Sequence, residues 1–325
     1  MQNKVSISAI VPIYNVENYL SKCLDSLRNQ SFHDFEVVLV NDGSKDGSKS
    51  IAQMYAKKYP NFHYFEKLNG GLSDARNFGI KQAIGDFVAF IDADDYIDES
   101  MFEKMITRQK NTSADVVACD MLYVYENGRT EVAIAGDFEI IDVKKNLAFI
   151  DMNNSACNKL FRKSLFDDLE FPVGKLYEDL FIVPLLIYKA NLVARVAEPL
   201  YMYYQRKGSI VHANNPKMFH IYEAIDHVQK GLLELDVKKE VLNPIINRML
   251  IKHGLFLTTL RIKENGTFSN RVHFFKMNMN EMNKRYTSWN RDATLNEYPF
   301  KSRIIFKFLH LRLYPIVALI LKRSK

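Results

Sequence analysis

The chain has few of the residues that mark several common kinds of site. Its 325 residues contain three cysteines, Cys23, Cys119 and Cys157, which are too widely spaced to form a metal-binding motif. An odd, scattered set of cysteines fits a reducing compartment, so we expect a cytoplasmic protein without a disulfide framework. The apolar run at residues 5–11 is short and is followed at once by Pro12, so it does not predict a signal peptide.

Two nucleotide-binding signatures are also missing. No G-x-G-x-x-G sequence follows the first predicted strand, which argues against an NAD or FAD site. The G-x-x-x-x-G-K-[ST] loop that cradles phosphates in many NTPases is absent as well. The net charge of +6 is too small to indicate nucleic-acid binding, and we expect no nucleic-acid partner.

The first hundred residues alternate between strand-like and helix-like patterns. Four short apolar runs predict strands, at residues 5–11, 36–40, 62–65 and 87–91. Helical periodicity follows each of the first three runs, and Asn15 is the expected N-cap of the first helix. The alternation predicts a parallel, doubly wound α/β sheet, in which ligands bind at the carboxyl ends of the strands.

Polar side chains collect at these strand ends. Asp92-Ala93-Asp94-Asp95 follows the fourth strand, Asp42 follows the second, and Tyr14 and Asn15 follow the first. Acids packed this closely repel one another unless a cation lies among them, and Mg²⁺ or Mn²⁺ prefers oxygen ligands. By itself, the acidic triplet is equally compatible with a solvated turn.

Four segments, in this order, resemble the successive motifs of family 2 glycosyltransferases, which have the GT-A fold and use nucleotide sugars. They are Pro12-x-Tyr14-Asn15, Val40-Asn41-Asp42-Gly43-Ser44-x-Asp46-Gly47, Asn69-Gly70-Gly71-Leu72-Ser73-x-Ala75-Arg76-Asn77-x-Gly79 and Asp92-x-Asp94-Asp95. The resemblance is close over the first hundred residues and looser beyond them. It implies an α/β, Rossmann-like GT-A fold with a mixed, mainly parallel sheet and helices on both faces.

The resemblance also implies roles for the residues at the strand ends. Nucleotide contacts are then expected from Pro12, Tyr14, Asn15, Asp42 and Ala93. Asp42 would accept a hydrogen bond from uracil, and Arg76 would pair with the diphosphate as a bidentate donor. Asp92 would reach the ribose or the metal, and Asp94 would coordinate Mn²⁺ or Mg²⁺. The alternatives are that Tyr14 packs at the sheet edge and that Asp42 shapes a turn.

A second pair of acids, Glu178-Asp179, opens an apolar helical segment. By pattern alone, such a pair is typical of a helix N-terminus, where carboxylates interact favourably with the dipole. The resemblance implies instead that Asp179 is the catalytic base and that Glu178 positions the acceptor. It also makes Arg206 a candidate for the diphosphate and His212 a candidate for the diphosphate or the metal, although His212 is equally compatible with an exposed loop.

The rest of the chain shows other patterns. Residues 116–125 and 130–135 flank Asn127-Gly128 and predict a hairpin, and helices are predicted from about residue 216. Residues 301–325 are basic and apolar and contain no acid. This composition predicts an amphipathic helix on an anionic membrane surface, with a packed terminal helix or a dimer contact as the alternatives.

We therefore expect three regions, a nucleotide-sugar-binding half at residues 1–100, an acceptor-binding half at 101–215 and a helical region at 216–325. The expected function is that of a metal-dependent, inverting hexosyl- or N-acetylhexosaminyltransferase. It would move one sugar from a nucleotide sugar, most simply a UDP-sugar, to a glycan or lipid-linked acceptor in cell-surface polysaccharide synthesis. The expected location is the cytoplasm, at the inner face of the plasma membrane.

Two other classes of function remain open at this point. A nucleotidyltransferase can share the fold and the metal, but it needs a basic, glycine-rich loop after the first strand. A non-catalytic nucleotide- or metal-binding signalling module can also collect acids at strand ends, but it has no second site such as Glu178-Asp179. The Gln-x-x-Arg-Trp signature of processive synthases is missing, since the only tryptophan is Trp289, which favours the transfer of single sugars.

Overall fold

The structure is a computed structural model that describes residues 5–205, 216–264 and 267–321. The chain forms two compact units, Met1–Arg206 and Lys207–Lys325. The first unit contains a large sheet with helices packed against it, and the described part of the second unit is helical. The three-part division expected from the sequence is finer than this and stays a prediction.

The sheet of the first unit is built from ten strands within the described residues. These are β1 Ile7–Ile13, β2 Phe35–Asn41, β3 Phe62–Glu66, β4 Phe87–Phe90, β5 Tyr96–Ile97, β6 Val116–Tyr125, β7 Thr130–Ala133, β8 Ile140–Ile141, β9 Lys159–Arg162 and β10 Val193–Gln205. The path through the sheet is β3-β2-β1-β4-β9-β6-β10-β5, with β7 paired to β6 and β8 to β10. The longer ladders are parallel and the shorter ones mostly antiparallel, so the predicted mixed, mainly parallel sheet is confirmed.

The helices divide between the two units. The first unit has α1 Glu17–Arg28, α2 Ser48–Lys58, α3 Leu72–Gln82, α4 Met101–Thr112 and α5 Glu178–Lys189. The second has α6 His220–Glu234, α7 Lys239–Met249, α8 Thr258–Glu264, α9 Phe268–Arg285, α10 Phe300–His310 and α11 Tyr314–Ile320. A π-helical segment, Leu250–Leu257, joins α7 to α8.

Strand β1 lies in the middle of the core, and all seven of its residues are buried. A parallel strand that is covered on both faces is apolar on both faces rather than alternating, which explains why six of the seven β1 residues are apolar. The exception, Ser8, donates its hydroxyl to Glu36 Oε1 at 2.5 Å. Its odd-numbered residues share an apolar cluster with the buried face of α1. Ile10 points to the other face, where a Cβ atom on Gly79 of α3 would come within 2.4 Å of the Ile10 Cγ2. The glycine therefore allows α3 to lie directly on the sheet.

The loop after β1 differs from the prediction. Asn15 has a φ of +52°, and its side-chain oxygen accepts a hydrogen bond from the backbone N–H of Lys45 at 2.8 Å. The N-cap position of α1 is occupied by Val16, with no side-chain cap, so the prediction that Asn15 caps α1 was wrong. The left-handed turn at Asn15 directs its side chain to the neighbouring loop. Asp46 of that loop accepts from the backbone N–H of Glu17 at the start of α1.

The C-terminal segment forms two helices instead of the single predicted one. Helix α10 ends at His310, Arg312 adopts a left-handed φ of 61°, and Pro315 lies in the first turn of α11. A left-handed residue ends the first helix, and proline is favoured at the start of the next because its missing N–H is not needed there. Within the described residues, no helix is both long and apolar enough to span a bilayer.

Candidate active site

A buried arginine joins the two groups of predicted site residues. Arg76 of α3 is only 1% exposed. Its Nη2 donates to Asp92 Oδ1 at 2.9 Å, and its Nη1 donates to Asp179 Oδ1 at 2.7 Å and to Glu178 Oε1 at 3.1 Å. Asp92 follows β4 and the other two acids begin α5, so residues that are far apart in the sequence meet around one guanidinium.

This position of Arg76 differs from the role expected for it. The guanidinium lies 5.7 Å from the ring centre of Phe90 and 5.2 Å from that of Phe171. Both terminal nitrogens already bind carboxylates, and the buried Nε has no hydrogen-bond partner. Three of the five N–H groups thus bind carboxylates, and the guanidinium is almost completely buried, so a diphosphate could reach it only if the surrounding side chains moved. The geometry therefore gives Arg76 a bridging role and lends no support to bidentate diphosphate binding.

Three carboxylates share this one cation, which leaves an excess of negative charge. Burial, together with the neighbouring charge of Asp179, raises the pKa of the Glu178 carboxyl to about 7, although Arg76 acts in the opposite direction. Glu178 therefore changes its charge near neutral pH, unlike an ordinary glutamate.

Asp179 is held from two sides. Its Oδ1 accepts from Arg76, and its Oδ2 accepts from the backbone N–H of Ala156 at 2.9 Å. The preceding residue, Tyr177, has a φ of 62°, a left-handed conformation that costs about 1–2 kcal/mol for a residue with a Cβ atom. The Asp179 side chain remains 23% exposed. An oriented and accessible carboxylate is suited to the role of a general base.

The three acids after β4 lie in different environments. Asp95 is buried and accepts from the Tyr201 hydroxyl at 2.7 Å and from the Tyr204 backbone N–H at 2.8 Å. The same Tyr201 hydroxyl accepts from the backbone N–H of Asp92 at 3.1 Å. Asp95 thus links the end of β4 to β10, while Asp92 joins the Arg76 cluster and Asp94 is half-buried.

Of the predicted metal ligands, Asp92 and Asp94 fall within the described part of the chain and His212 lies outside it. Arg206, the candidate for the diphosphate, also lies outside the described residues. No group of three or more His, Cys, Asp or Glu residues in the described ranges is arranged to hold a metal ion. Burial and the charges of Asp92 and Asp94 raise the pKa of Asp95 well above its usual value, so the field at this strand end is negative. The partly buried carboxylates of Asp92 and Asp94 fit a hard divalent cation that would complete its shell with phosphate oxygens.

Asp42 is also engaged by the protein. It is 2% exposed, and its Oδ1 accepts from Lys67 Nζ at 2.7 Å and from the Gly70 N–H at 2.9 Å. Its Oδ2 accepts from Asn69 Nδ2 at 3.1 Å and from the Gly71 N–H at 2.8 Å. The Asp42 carboxylate therefore accepts four hydrogen bonds and fixes the turn before α3. A uracil N–H would have to share the carboxylate with these donors or replace one of them. The contact of Asp42 with uracil stays a prediction.

The other expected nucleotide contacts differ in their exposure. Tyr14 is 46% exposed at the end of β1 and can offer its ring to a base or ribose. Asn15 is exposed beside it, although its side-chain oxygen already accepts a hydrogen bond from the backbone N–H of Lys45. Pro12 and Ala93 are buried, so they contribute to the shape of the strand ends rather than to an open surface.

Sequence reasoning missed two residues that support the site. Tyr201 ties Asp95 and Asp92 together, and Lys159 is a fully buried lysine whose ammonium donates to oxygens of Asn153, Ser155 and Asn158. A charged residue beside the apolar pair Leu160-Phe161 in a strand was the available signal for Lys159, since buried lysines are rare unless they are paired.

A family model described as glycosyl transferase family 2 matches residues 8–170. The chain belongs to glycosyl transferase family 2. Membership favours sugar transfer over the nucleotidyltransferase and signalling alternatives considered from the sequence.

Individual relatives agree with this family. The glycosyltransferase GlyA of Streptococcus pneumoniae is 34% identical over 66% of this chain, but the match spans only 32% of GlyA. The putative glycosyltransferase EpsH of Bacillus subtilis is 32% identical over 81% of this chain and 79% of EpsH. The crystal structure of S. aureus TarS 1-349 in complex with UDP-GlcNAc is similar at a TM-score of 0.76 and 24% identity, covering 97% of this chain and 90% of that one. The predicted GT-A fold is confirmed.

The raised pKa of Glu178 predicts a pH-dependent stability. The pKa of Glu178 in the folded protein, about 7, lies above the ordinary 4.5, so the folded state favours the protonated carboxyl. The contribution of Glu178 to stability is therefore fully present below pH 4.5 and is lost as the pH rises through 7. Across that window, wild-type protein without added metal should lose up to about 3 kcal/mol of unfolding free energy relative to Glu178→Gln. Chemical unfolding at several pH values measures this difference. Glu170→Gln, at an exposed glutamate, should parallel wild type, and a Glu178→Gln curve that also parallels wild type would refute the shift.

Proposed function

We propose that this family 2 enzyme transfers a single sugar, a hexose or an N-acetylhexosamine, from a UDP-sugar to a hydroxyl of a glycan or lipid-linked acceptor. The observation that carries this proposal is the Arg76 cluster, which holds Asp92 of the donor side next to Glu178 and Asp179 of the acceptor side. The similarity of the fold to TarS 1-349, which was solved with UDP-GlcNAc, supports the choice of donor class. Cell-surface polysaccharide synthesis is the proposed setting.

The proposed chemistry is a direct displacement at the anomeric carbon. The acceptor oxygen attacks that carbon, and Asp179 takes the hydroxyl proton. The bond from the anomeric carbon to the diphosphate oxygen breaks on the opposite face, and UDP leaves with the bonding electron pair. Glu178, next to the base, positions the acceptor. One base and no nucleophilic carboxylate lead to inversion of configuration at the anomeric carbon.

A divalent cation, Mn²⁺ or Mg²⁺, is part of the proposal. Asp94 and Asp92 would hold it together with diphosphate oxygens, as the negative field at this strand end suggests. When bound, such an ion offsets charge on the departing diphosphate. On the protein side, the exposed ring of Tyr14 would pack on the nucleoside, and the Arg76 pairing keeps Asp92 oriented.

Two substitutions should separate donor binding from transfer. Asp94→Asn should weaken UDP binding in the presence of Mn²⁺ because a metal ligand is lost. Asp179→Asn should leave UDP binding unchanged and lower UDP release from UDP-sugars by about 100-fold or more, because a general base is worth that much. Calorimetry with UDP and Mn²⁺ and a UDP-release assay measure the two effects.

The matched control is Asp168→Asn, at an exposed aspartate of the same unit that pairs with Lys189. It should resemble wild type in both assays. Full turnover in Asp179→Asn would show that Asp179 is not the base. UDP binding that changes neither with Mn²⁺ nor in Asp94→Asn would refute the proposed metal site.

The C-terminal helices suggest where the enzyme works. Helices α10 and α11 and the turn between them expose seven large apolar side chains, those of Phe300, Ile304, Leu311, Leu313, Ile316, Leu319 and Ile320. Four exposed basic residues, Lys301, Arg303, Lys307 and Arg312, lie in the same described segment, and the sequence from residue 301 to 325 contains no acid. We propose that this apolar, basic surface lies on an anionic bilayer at the cytoplasmic face, where each basic residue contributes roughly 1 kcal/mol.

Vesicle sedimentation tests this location. The protein should bind vesicles that contain phosphatidylglycerol, and binding should weaken with salt and be absent from pure phosphatidylcholine. The double variant Leu319→Glu, Ile320→Glu should lose most of the binding, whereas Val241→Glu, at an exposed apolar residue of α7, should retain it. Absence of binding would contradict the proposal. A dimer in light scattering that the double variant dissociates would instead assign the surface to a second copy of the chain.

A further inference from the structure

One peptide group lies between a buried ammonium and the proposed base. The carbonyl oxygen of Ser155 accepts a hydrogen bond from Lys159 Nζ at 2.7 Å, and the N–H of Ala156 donates to Asp179 Oδ2 at 2.9 Å. These two groups belong to the same peptide bond, in which C=O and N–H point in opposite directions. The oxygen end of the peptide thus faces a cation and its hydrogen end faces an anion.

The ammonium of Lys159 has little freedom to move. The side chain is fully buried, and its other hydrogen bonds go to the Asn153 carbonyl at 2.6 Å and to Asn158 Oδ1 at 2.8 Å. Three acceptors therefore use all three of its donors. Burial lowers the pKa of Lys159 to about 8, so the group is mostly charged at neutral pH. This charge explains why the backbone carbonyls of Asn153 and Ser155 point toward the buried end of the Lys159 side chain.

The loop that carries this peptide is anchored to the sheet. Asn158 Nδ2 donates to the Cys119 carbonyl of β6 at 2.6 Å, and the Cys119 N–H returns a hydrogen bond to the Asn158 carbonyl at 3.0 Å. The titratable groups that face Lys159 are Cys157, Asp179 and Cys119. Burial raises the pKa of both thiols, so neither thiol carries a negative charge near neutral pH.

We propose that Lys159 is a positioning residue that acts through the Ser155–Ala156 peptide to fix the Asp179 carboxylate. The inference rests on the role of Asp179 as base that is proposed above. The ammonium holds the carbonyl, the carbonyl sets the direction of the N–H, and the N–H fixes Oδ2. Without the Lys159 ammonium, the Ala156 N–H no longer has a fixed direction, and Asp179 keeps only the contact of its Oδ1 with Arg76. The base then no longer has one orientation toward the acceptor hydroxyl.

Kinetics of Lys159→Met provide the first test. Methionine fills a similar volume without a charge or a donor. We expect kcat for UDP release to fall by about 10- to 100-fold, the scale of effect of misplaced catalytic groups, while the KM for the UDP-sugar changes less than about twofold. Lys163→Met is the matched control, because Lys163 also donates to a backbone carbonyl, that of Ala83, but not to this loop. It should keep wild-type kinetics.

A spectroscopic readout tests the contact independently of activity. Labelling with ¹³C-serine and ¹⁵N-alanine selects three Ser-Ala peptide bonds, one of which is Ser155–Ala156. The Ala156 amide signal should move in both Asp179→Asn and Lys159→Met. In the Glu178→Gln background, which removes the carboxyl that titrates near 7, the same signal should also move as the pH passes through about 8, where Lys159 loses its charge.

The outcomes are distinguishable. Unchanged kcat in folded Lys159→Met, or an Ala156 signal that responds to Asp179→Asn but not to Lys159→Met, would overturn the proposal. If Lys159→Met does not fold, the titration of the Lys159-containing protein decides, and an Ala156 signal that is flat through pH 8 would overturn it. Full transfer by Asp179→Asn would refute the role of Asp179 as base. The Ala156 amide signal would still test whether Lys159 acts on Asp179 through the Ser155–Ala156 peptide.

Discussion

The first unit is organised around a buried guanidinium that is surrounded by three carboxylates. Arg76 reaches them because α3 lies directly on the sheet at Gly79. The end of β4 and the start of α5 place Asp92, Glu178 and Asp179 around the guanidinium. A buried charge that loses its partner is strongly destabilising, so these elements are coupled through their charges. The coupling is also functional, since one side of the cluster faces the proposed donor site and the other holds the proposed base.

The orientation of Asp179 depends on two buried cations. Arg76 fixes one oxygen directly, and Lys159 acts on the other through a backbone amide. On the donor side, Tyr201 performs a comparable task by holding Asp95 inward and supporting the backbone of Asp92. Such preorganisation places carboxylates before the substrate arrives, at a cost in burial and mutual repulsion, the two effects that raise the pKa values of Glu178 and Asp95.

Much of the framework followed from the sequence, because strand and helix periods and turn residues are local properties. The strands β1 to β4, the hairpin of β6 and β7 and the polar strand ends were predicted in place. The partners of the polar groups were not, since Arg76 meets Asp179 across 103 residues and Asp95 meets Tyr201 across 106. Local pattern also failed at Asn15, whose side chain bonds a neighbouring loop, and at Arg312, whose left-handed backbone divides the C-terminal helix.

The bridging role of Arg76 is measured most directly by the unfolding free energy of Arg76→Met at neutral pH. Methionine leaves three carboxylates without their cation, so a loss of about 3–5 kcal/mol is expected, and it should shrink at pH 5, where Glu178 is protonated. Arg28→Met, at an exposed arginine beside Asp25, should unfold close to wild type. An Arg76→Met protein as stable as Arg28→Met would contradict the bridging role.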